Sequence, residues 1–388
     1  MKYELKDSVL VLMPEGRIDT LNAPTAEKEA FDACGDNPAE AVVMDCEKLD
    51  YVSSAGLRVV LKIRKAYPSL RLVNVQSDVY DVFEMTGFTE MMPIEKAFRT
   101  LSVEGCKVIG QGANGKVYRT DSDTIVKVYK DADSLNDIRR ERELAKRAFI
   151  LGVPTAISYE VAKVGDGYGS VFELLDARSI AETLSAEPEK IDQMVDFYVD
   201  LLKKIHSTDG DAAIMPDMKK TALSWAEFDR EHLPKDIGDK LYELVEQVPY
   251  SQKMMHGDYH IKNVMLQSGE AILIDMDTIC IGHPVFELGS MYNAYLGFSA
   301  IDPDVSMRFL GIPHDLAVDF WRRSLKKYLG TDDEDRIKEV EDKATIVGFM
   351  RLIRRAVRRA DREDNAKELA YYKKRVEELV SSVDTLIF

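Results

Sequence analysis

The segment His256-Gly257-Asp258-Tyr259-His260-Ile261-Lys262-Asn263 limits what this chain can fold into more than any other. Eight residues beyond it begins Ala271-Ile272-Leu273-Ile274-Asp275-Met276-Asp277. A loop holding Asp and Asn five apart is thus followed by an apolar strand that delivers a carboxylate at its end. This pairing suits a divalent cation and the activation of a hydroxyl. Mg2+ takes oxygen ligands and keeps bound phosphate oxygens in its shell. Asn263 and Asp275 can supply such ligands, which frees Asp258 to accept the proton of an attacking hydroxyl.

Two further signals stand upstream in a matching order. Gly110-Gln111-Gly112-Ala113-Asn114-Gly115-Lys116-Val117 fits G-x-G-x-x-G-x-V. Glycines there let backbone N–H groups approach phosphate oxygens without a Cβ in the way. A glycine-rich hairpin without a ligand fits the same residues. A dinucleotide fold does not, because a strand rather than a helix follows. Lys127 lies in the next strand, between apolar neighbours, and needs an anionic partner if it points inward. On the helix that follows, Glu141 shares a face with Ile138, Leu144, Ala145 and Ala148, whereas Glu143 falls with Lys146 and Arg147. Glu141 is therefore the expected partner of Lys127. Reading all of these residues as turn caps and solvated charges requires three separated signals to coincide by chance in one order.

Around this constellation, 388 residues at roughly 100–200 per domain predict two or three packed units. Up to about Thr100, strand-like and helix-like segments alternate. Val9–Met13 reads as a strand buried on both faces, followed by a helix near Pro24–Ala33 that Gly35 is placed to stop. Ala41–Met44 and Leu70–Val75 read as further strands, Ala55–Lys65 and Val79–Met85 as helices. Such alternation implies a mostly parallel or mixed sheet with helices packed on it. The junction near Leu101–Cys106 has no Pro/Gly/Ser-rich tether. Three strands are then expected at Lys107–Gly110, Lys116–Thr120 and Thr124–Tyr129. A helix follows, opened by Ser134 with Asp137 three residues on, a capping-box pattern. The remainder reads as helical apart from one strand pair, Val264–Leu266 and Ala271–Ile274, with a charged break near Asp364-Asn365.

From about Val103 to its end the chain resembles the aminoglycoside phosphotransferase/choline kinase-like family, distant relatives of protein kinases. The H-G-D-x-H-x-x-N and I-D-x-D pair carries the likeness. The resemblance implies an α+β, two-lobed, protein-kinase-like fold, with an N-lobe of about 101–175 and a C-lobe of about 176–388. It implies ATP and Mg2+ as cofactors, Asp258 as catalytic base, and Asn263 and Asp275 as metal ligands. Lys127 would hold the α/β-phosphates, oriented by Glu141, under a loop formed by Gly110, Gly112 and Gly115. Glu173-Leu174-Leu175 would form the adenine hinge, with Glu173 and Leu175 contributing backbone groups. Ile205-His206 resembles a family pair that is more often structural than catalytic. Two departures stand out. Glu287 replaces the usual aspartate of the D-L-A segment, and His260 replaces the lysine that Ser/Thr protein kinases carry two residues after the catalytic aspartate.

Residues 1 to about 100 resemble the STAS domain of anti-sigma-factor antagonists, an α/β fold. The likeness rests on Gly16-Arg17-Ile18-Asp19-Thr20, Asp50-Tyr51-Val52-Ser53-Ser54-Ala55-Gly56-Leu57 and Val82-Phe83-Glu84-Met85-Thr86-Gly87-Phe88. It puts Ser54 in the phosphoacceptor position, with Asp19 where the family has an acid near that serine. From the residues alone, Ser53 or Ser54 opens a helix, where backbone donors favour an anion, and one of them serving simply as an N-cap is the plainer alternative.

A formal charge of −16 argues against general attraction to nucleic acid or an anionic membrane. The N-terminus lacks a secretory pattern, and no stretch approaches the roughly 20 apolar residues of a membrane span. Cys34, Cys46, Cys106 and Cys280 form no C-x-x-C pair and read as buried free thiols in a reducing compartment. A cytoplasmic location is expected. Arg351, Arg354, Arg355, Arg358 and Arg362 make one basic helix face. It could be merely solvated, dock the acidic front domain, or line an acceptor cleft that repels polycations.

The leading expectation is a kinase acting on a small-molecule hydroxyl, with the STAS domain sensing or meeting an anti-sigma-factor-like or other signalling partner. One alternative is a protein kinase aimed at Ser54 of its own or a partner chain. The other is a catalytically silent nucleotide-binding adaptor, which would have no need of Asp258.

Overall fold

A computed structural model describes residues 1–112, 115–131, 134–359 and 365–388. The chain divides into two compact units: Met1–Ser102 with Val161–Gly165, and Val103–Glu160 with Asp166–Phe388.

The first unit runs β1 (Lys2–Lys6), β2 (Val9–Met13), β3 (Gly16–Ile18), α1 (Ala23–Asp36), β4 (Ala41–Asp45), β5 (Leu49–Val52), α2 (Ser54–Ala66), β6 (Arg71–Val75), α3 (Ser77–Met85), α4 (Phe88–Met91), β7 (Ile94–Lys96) and β8 (Arg99–Leu101). Its main sheet has the order β1-β2-β4-β6-β7, antiparallel at the β1–β2 hairpin and parallel elsewhere. It is an α/β unit, as the alternation predicts. Leu10, Leu12, Met44, Leu49, Ile63 and Phe83 are fully buried in its core. Each such side chain is worth roughly 1.5–3 kcal/mol of burial. Helix α2 sits so close to β3 that a Cβ on Gly56 would lie 2.5 Å from the Ile18 carbonyl oxygen.

Two sequence expectations for this unit need correction. Strand β2 buries only alternate residues, Leu10 and Leu12, and leaves Val9, Val11 and Met13 half-buried. Helix α1 passes through Gly35 and ends at Asn37, whose side-chain amide donates to the Ala33 carbonyl at 2.9 Å. Strand β1, exposed along its whole length, lies outside the segments that the sequence pattern marks as strands.

The second unit opens with β9 (Lys107–Gln111), β10 (Gly115–Arg119), β11 (Thr124–Tyr129), α5 (Leu135–Ile150), β12 (Ser158–Val164) and β13 (Gly167–Glu173). Strands β9, β10, β11 and β13 form an antiparallel ladder in the order β13-β11-β10-β9. The Val161–Val164 portion of β12 belongs with the first unit, where Ala162–Val164 pairs in parallel with β8. Helix α5 does not form the expected capping box. Ser134 has φ −69° and ψ 1°, not the extended backbone of an N-cap, and among the described residues its buried hydroxyl has no partner.

The helical part follows: β14 (Arg178–Ser179), α6 (Ile180–Ala186), α7 (Ile191–Ser207), α8 (Met218–Arg230), α9 (Lys235–Gln247), β15 (Met254–Met255), β16 (Val264–Gln267), β17 (Glu270–Leu273), β18 (Cys280–Ile281), α10 (Pro284–Tyr292), α11 (Asp304–Leu310), α12 (His314–Leu329), α13 (Glu334–Val357) and α14 (Asn365–Ser382). The unit is thus α+β, a sheet-bearing lobe followed by a helical one. One core gathers α7 and α12 around Tyr198, Tyr295, Phe320 and Trp321. A second joins α8, α9, α13 and α14 through Leu241, Leu244, Phe349 and Val376.

All four thiols are free. Cys34, Cys46 and Cys280 are buried as expected, whereas Cys106 is only half-buried. No described helix is long and apolar enough to cross a membrane. Asp364 and Arg362 lie outside the described residues, as do Ala113 and Asn114 of the glycine-rich segment.

Candidate active site

Strand β11 and helix α5 meet at Lys127. Its Nζ lies 2.9 Å from Glu141 Oε1 and 2.6 Å from Asp275 Oδ1. Helical periodicity fixes the first contact: Ile138, Glu141, Leu144, Ala145 and Ala148 are all buried on one face of α5, and Glu143 is exposed. Tyr129, two residues along β11, donates its hydroxyl to Glu141 Oε2 at 2.7 Å. Burial works against the Lys127 ammonium, but Glu141 and Asp275 outweigh it and hold its pKa above the ordinary lysine value.

The glycines of the 110–115 segment are not equivalent. A Cβ on Gly115 would lie 2.2 Å from the Val128 carbonyl oxygen, so close strand pairing alone requires a glycine there. Gly110 faces Val117 at ordinary contact distance. Gly112 has open space where a side chain would be, and its N–H donates to the Gly115 carbonyl at 3.0 Å, closing the turn. At the end of β13 the Leu174 N–H is spent on the Asp123 carbonyl at 2.8 Å. Glu173 is exposed, and among the described residues Leu175 makes no backbone hydrogen bond.

The loop around Asp258 is held from beneath. The buried Glu287 accepts from the backbone N–H of His256 at 2.5 Å and of Gly257 at 3.0 Å. Gly257 has φ +82°, and a Cβ there would meet the Thr278 carbonyl oxygen at 2.5 Å, so only glycine lets the loop pass. His256 Nδ1 accepts from the Asp258 N–H at 3.3 Å, which assigns the ring proton to Nε2, 3.1 Å from the Ile274 carbonyl. One imidazole therefore ties the Asp258 loop to the strand end that carries Asp275.

Asp258 itself is half-exposed, with Oδ2 3.5 Å from His260 Nε2. Burial raises its pKa, but the contact with His260 and the influence of His256 and Arg351 outweigh that effect, and the carboxyl titrates below its usual range. Asn263 donates its amide N–H to the Asp258 carbonyl at 3.0 Å, which leaves the side-chain oxygen as its ligand atom. Asp275 has φ 62° and ψ 64°, a left-handed backbone that costs a non-glycine residue on the order of 1–3 kcal/mol. Burial, with the nearby Asp275 and Glu141, pushes Asp277 up to about 6. Among the described residues no three His, Cys, Asp or Glu side chains converge as a metal site.

The structure therefore brings Lys127, Glu141 and Asp275 into direct contact, and links Asp258 to Asn263 by a hydrogen bond. The sequence reading gave no part to Tyr129 or Ser290. The period of two along β11 would have flagged Tyr129. Ser290 had no such signal: its hydroxyl donates to the Gly257 carbonyl at 3.0 Å, a contact made only through the tertiary fold.

The model of the phosphotransferase enzyme family (APH) matches residues 105–321, more than half of the chain. This chain belongs to the phosphotransferase enzyme family. The phosphotransferase carries a STAS domain in front, matched over residues 1–102. That part is 37% identical over 92 residues to the "Putative anti-sigma factor antagonist BtrV" of Bordetella bronchiseptica, spanning 23% of this chain and 78% of the relative. Among solved structures, the phosphotransferase is similar to ADP-bound aminoglycoside phosphotransferase APH(2'')-Ib. The identity is 15%, covering 79% of this chain and 99% of the other, with a TM-score of 0.49. The streptomycin-ATP-APH(2")-IIa ternary complex gives 15% identity, 79% and 98% coverage, and a TM-score of 0.49.

Proposed function

We propose that this phosphotransferase moves the γ-phosphate of ATP, with Mg2+, onto a hydroxyl of a small-molecule acceptor. One observation carries the reading: Lys127 Nζ stands within 2.9 Å of Glu141 and 2.6 Å of Asp275, so the neighbouring β11 and α5 converge with a strand end 148 positions away. A lysine held between a helix carboxylate and the acid at a strand end has a donor geometry suited to phosphate oxygens.

The donor set fits a hard cation. Asn263 offers an oxygen and Asp275 a half-exposed carboxylate, and Mg2+ characteristically binds through one or two carboxylates plus phosphate oxygens and water. Asn263 and Asp275 are assigned to it, where it would neutralise charge on the phosphates. Lys127, oriented by Glu141, is assigned to the α/β-phosphates, with Gly110, Gly112 and Gly115 over the triphosphate. The backbone of Glu173 and Leu175 is assigned to the adenine. Asp258 accepts the proton of the acceptor hydroxyl. Its lowered pKa keeps it ionised at neutral pH, and Asn263 and His256 fix the loop that aims it. The free thiols fit a cytoplasmic protein.

A second reading, a protein kinase acting on Ser54 of its own or a partner chain, is favoured by one detail. Ser53 takes the N-cap of α2, accepting from Ala55 and Gly56, while Ser54 is exposed at the first helical position. A phosphate there would sit at the positive end of the α2 dipole, beside N–H groups that Ser53 already caps. A silent adaptor would leave the anchored Asp258 loop without a purpose.

Phosphate transfer from Mg·ATP to a panel of metabolites, run with the whole chain, separates these readings. A small molecule turned over with Ser54 unmodified supports the first. Phosphate found on Ser54 alone supports the second.

A further inference from the structure

Helix α13 carries Arg351, Arg354 and Arg355, and Arg358 caps its end. The chain as a whole has a net charge of −16, yet these four arginines follow one another at i, i+3, i+4 and i+7. Among the described residues none of the four forms an ion pair. The acids that influence them, Asp229 and Glu368, act from a distance. Asp229 is fully buried, and burial pushes its carboxyl up to about 8, so it stays mostly neutral at pH 7 and cancels little of the charge.

This basic face begins at the proposed active site. Arg351 Nη1 donates to Ser290 Oγ at 3.0 Å, and Ser290 Oγ donates to the carbonyl of Gly257, the residue before Asp258. Further along, the guanidiniums lie over half-buried aromatic rings: Arg351 over Trp225 at 5.8 Å, Arg355 over Phe298 at 5.0 Å, Arg358 over Phe228 at 5.7 Å. Stacking uses the face of a guanidinium and leaves its in-plane N–H donors free, the geometry that grips a carboxylate or phosphate. Arg354 and Arg355 are held below the ordinary arginine pKa by burial and by neighbouring arginines, so the face carries a repulsion that a bound anion would relieve.

We infer that the acceptor is an anion, a hydroxyl compound whose carboxylate or phosphate is held by Arg355 and Arg358 while its hydroxyl reaches Asp258. This deepens the phosphotransferase reading and rests on it. A polycationic acceptor is repelled by the same face.

The test uses the full chain with Mg·AMP-PNP bound, so that the nucleotide's own phosphates are accounted for, and inorganic phosphate as the probe, followed by calorimetry. Saturable phosphate binding is expected, weakened at least tenfold in Arg355→Gln/Arg358→Gln, with AMP-PNP affinity unchanged as the check on folding. Arg355→Lys/Arg358→Lys should keep part of it. Absent phosphate binding, or binding indifferent to both pairs of substitutions, would overturn the inference. An equal loss of AMP-PNP affinity would assign these arginines to the nucleotide instead. A neutral or cationic compound emerging as the turned-over acceptor would also overturn it, while leaving the phosphotransferase reading intact. Failure of the wild-type chain to bind Mg·AMP-PNP would sink both.

Discussion

Lys127 Nζ and Asp275 Oδ1 lie 2.6 Å apart, although 148 positions separate the two residues. Glu141 completes the cluster from the helix side, with its side chain only 9% exposed. Removing the cation leaves that carboxylate buried with Tyr129 as its remaining donor among the described residues. Lys127→Met is expected to weaken nucleotide binding at least tenfold and to lower unfolding stability by about 3 kcal/mol, the scale of breaking a buried pair. Calorimetric titration and urea unfolding measure the two effects.

Asp258→Asn removes the proton acceptor and little else, since Asn keeps the shape of the side chain. Turnover should fall by roughly 10²–10⁴-fold with nucleotide affinity nearly unchanged. Steady-state kinetics and a nucleotide titration check both halves. Full activity in this variant would remove Asp258 from the mechanism.

Glu287 anchors the same loop from beneath by accepting two backbone N–H groups. Glu287→Gln replaces charge-assisted hydrogen bonds and puts an N–H where a donor already points. A loss of about 1.5–3 kcal/mol is expected. Turnover should drop while nucleotide affinity holds, because Lys127 and Glu141 are untouched.

Asp229 sits fully buried with neither carboxyl oxygen hydrogen-bonded among the described residues, and burial raises its pKa to about 8. A carboxyl with a raised folded pKa favours the native state at low pH. Its contribution is full below about pH 4 and is lost as pH rises to about 8, at roughly 1.4 kcal/mol per unit. Asp229→Asn should therefore be more stable than the native chain at pH 7, with the gap closing toward pH 4. Thermal midpoints across that range give the answer, and an equal gap at both pH values would contradict the burial argument.

Some of this site could be read from residue order because local periodicity decides it. Spacing of three, four and seven along α5 selects Glu141 over Glu143, and the buried face bears that out. The contact of Lys127 with Asp275 has no local signal, for it depends on how the strand ends fold together. Strand β13 begins Gly167-Tyr168-Gly169-Ser170, and glycines in a strand hide it from propensity. Strand β1 alternates charge with apolar residues but buries neither face, so its sequence looks like a solvated edge. At Ser134 the capping residues are present in order, and the backbone declines the conformation they need. Gly115 is the reverse case: a glycine with a ligand-like motif around it that strand pairing alone demands.

The central claim is that remote segments clamp a metal–triphosphate together. Titration of AMP-PNP onto the whole chain, with and without Mg2+, tests it most directly. One saturable site that requires Mg2+, weakened at least tenfold by Asp275→Asn and left intact by Asp258→Asn, is the expected result. Binding that ignores both Mg2+ and the loss of the Asp275 carboxylate would contradict it.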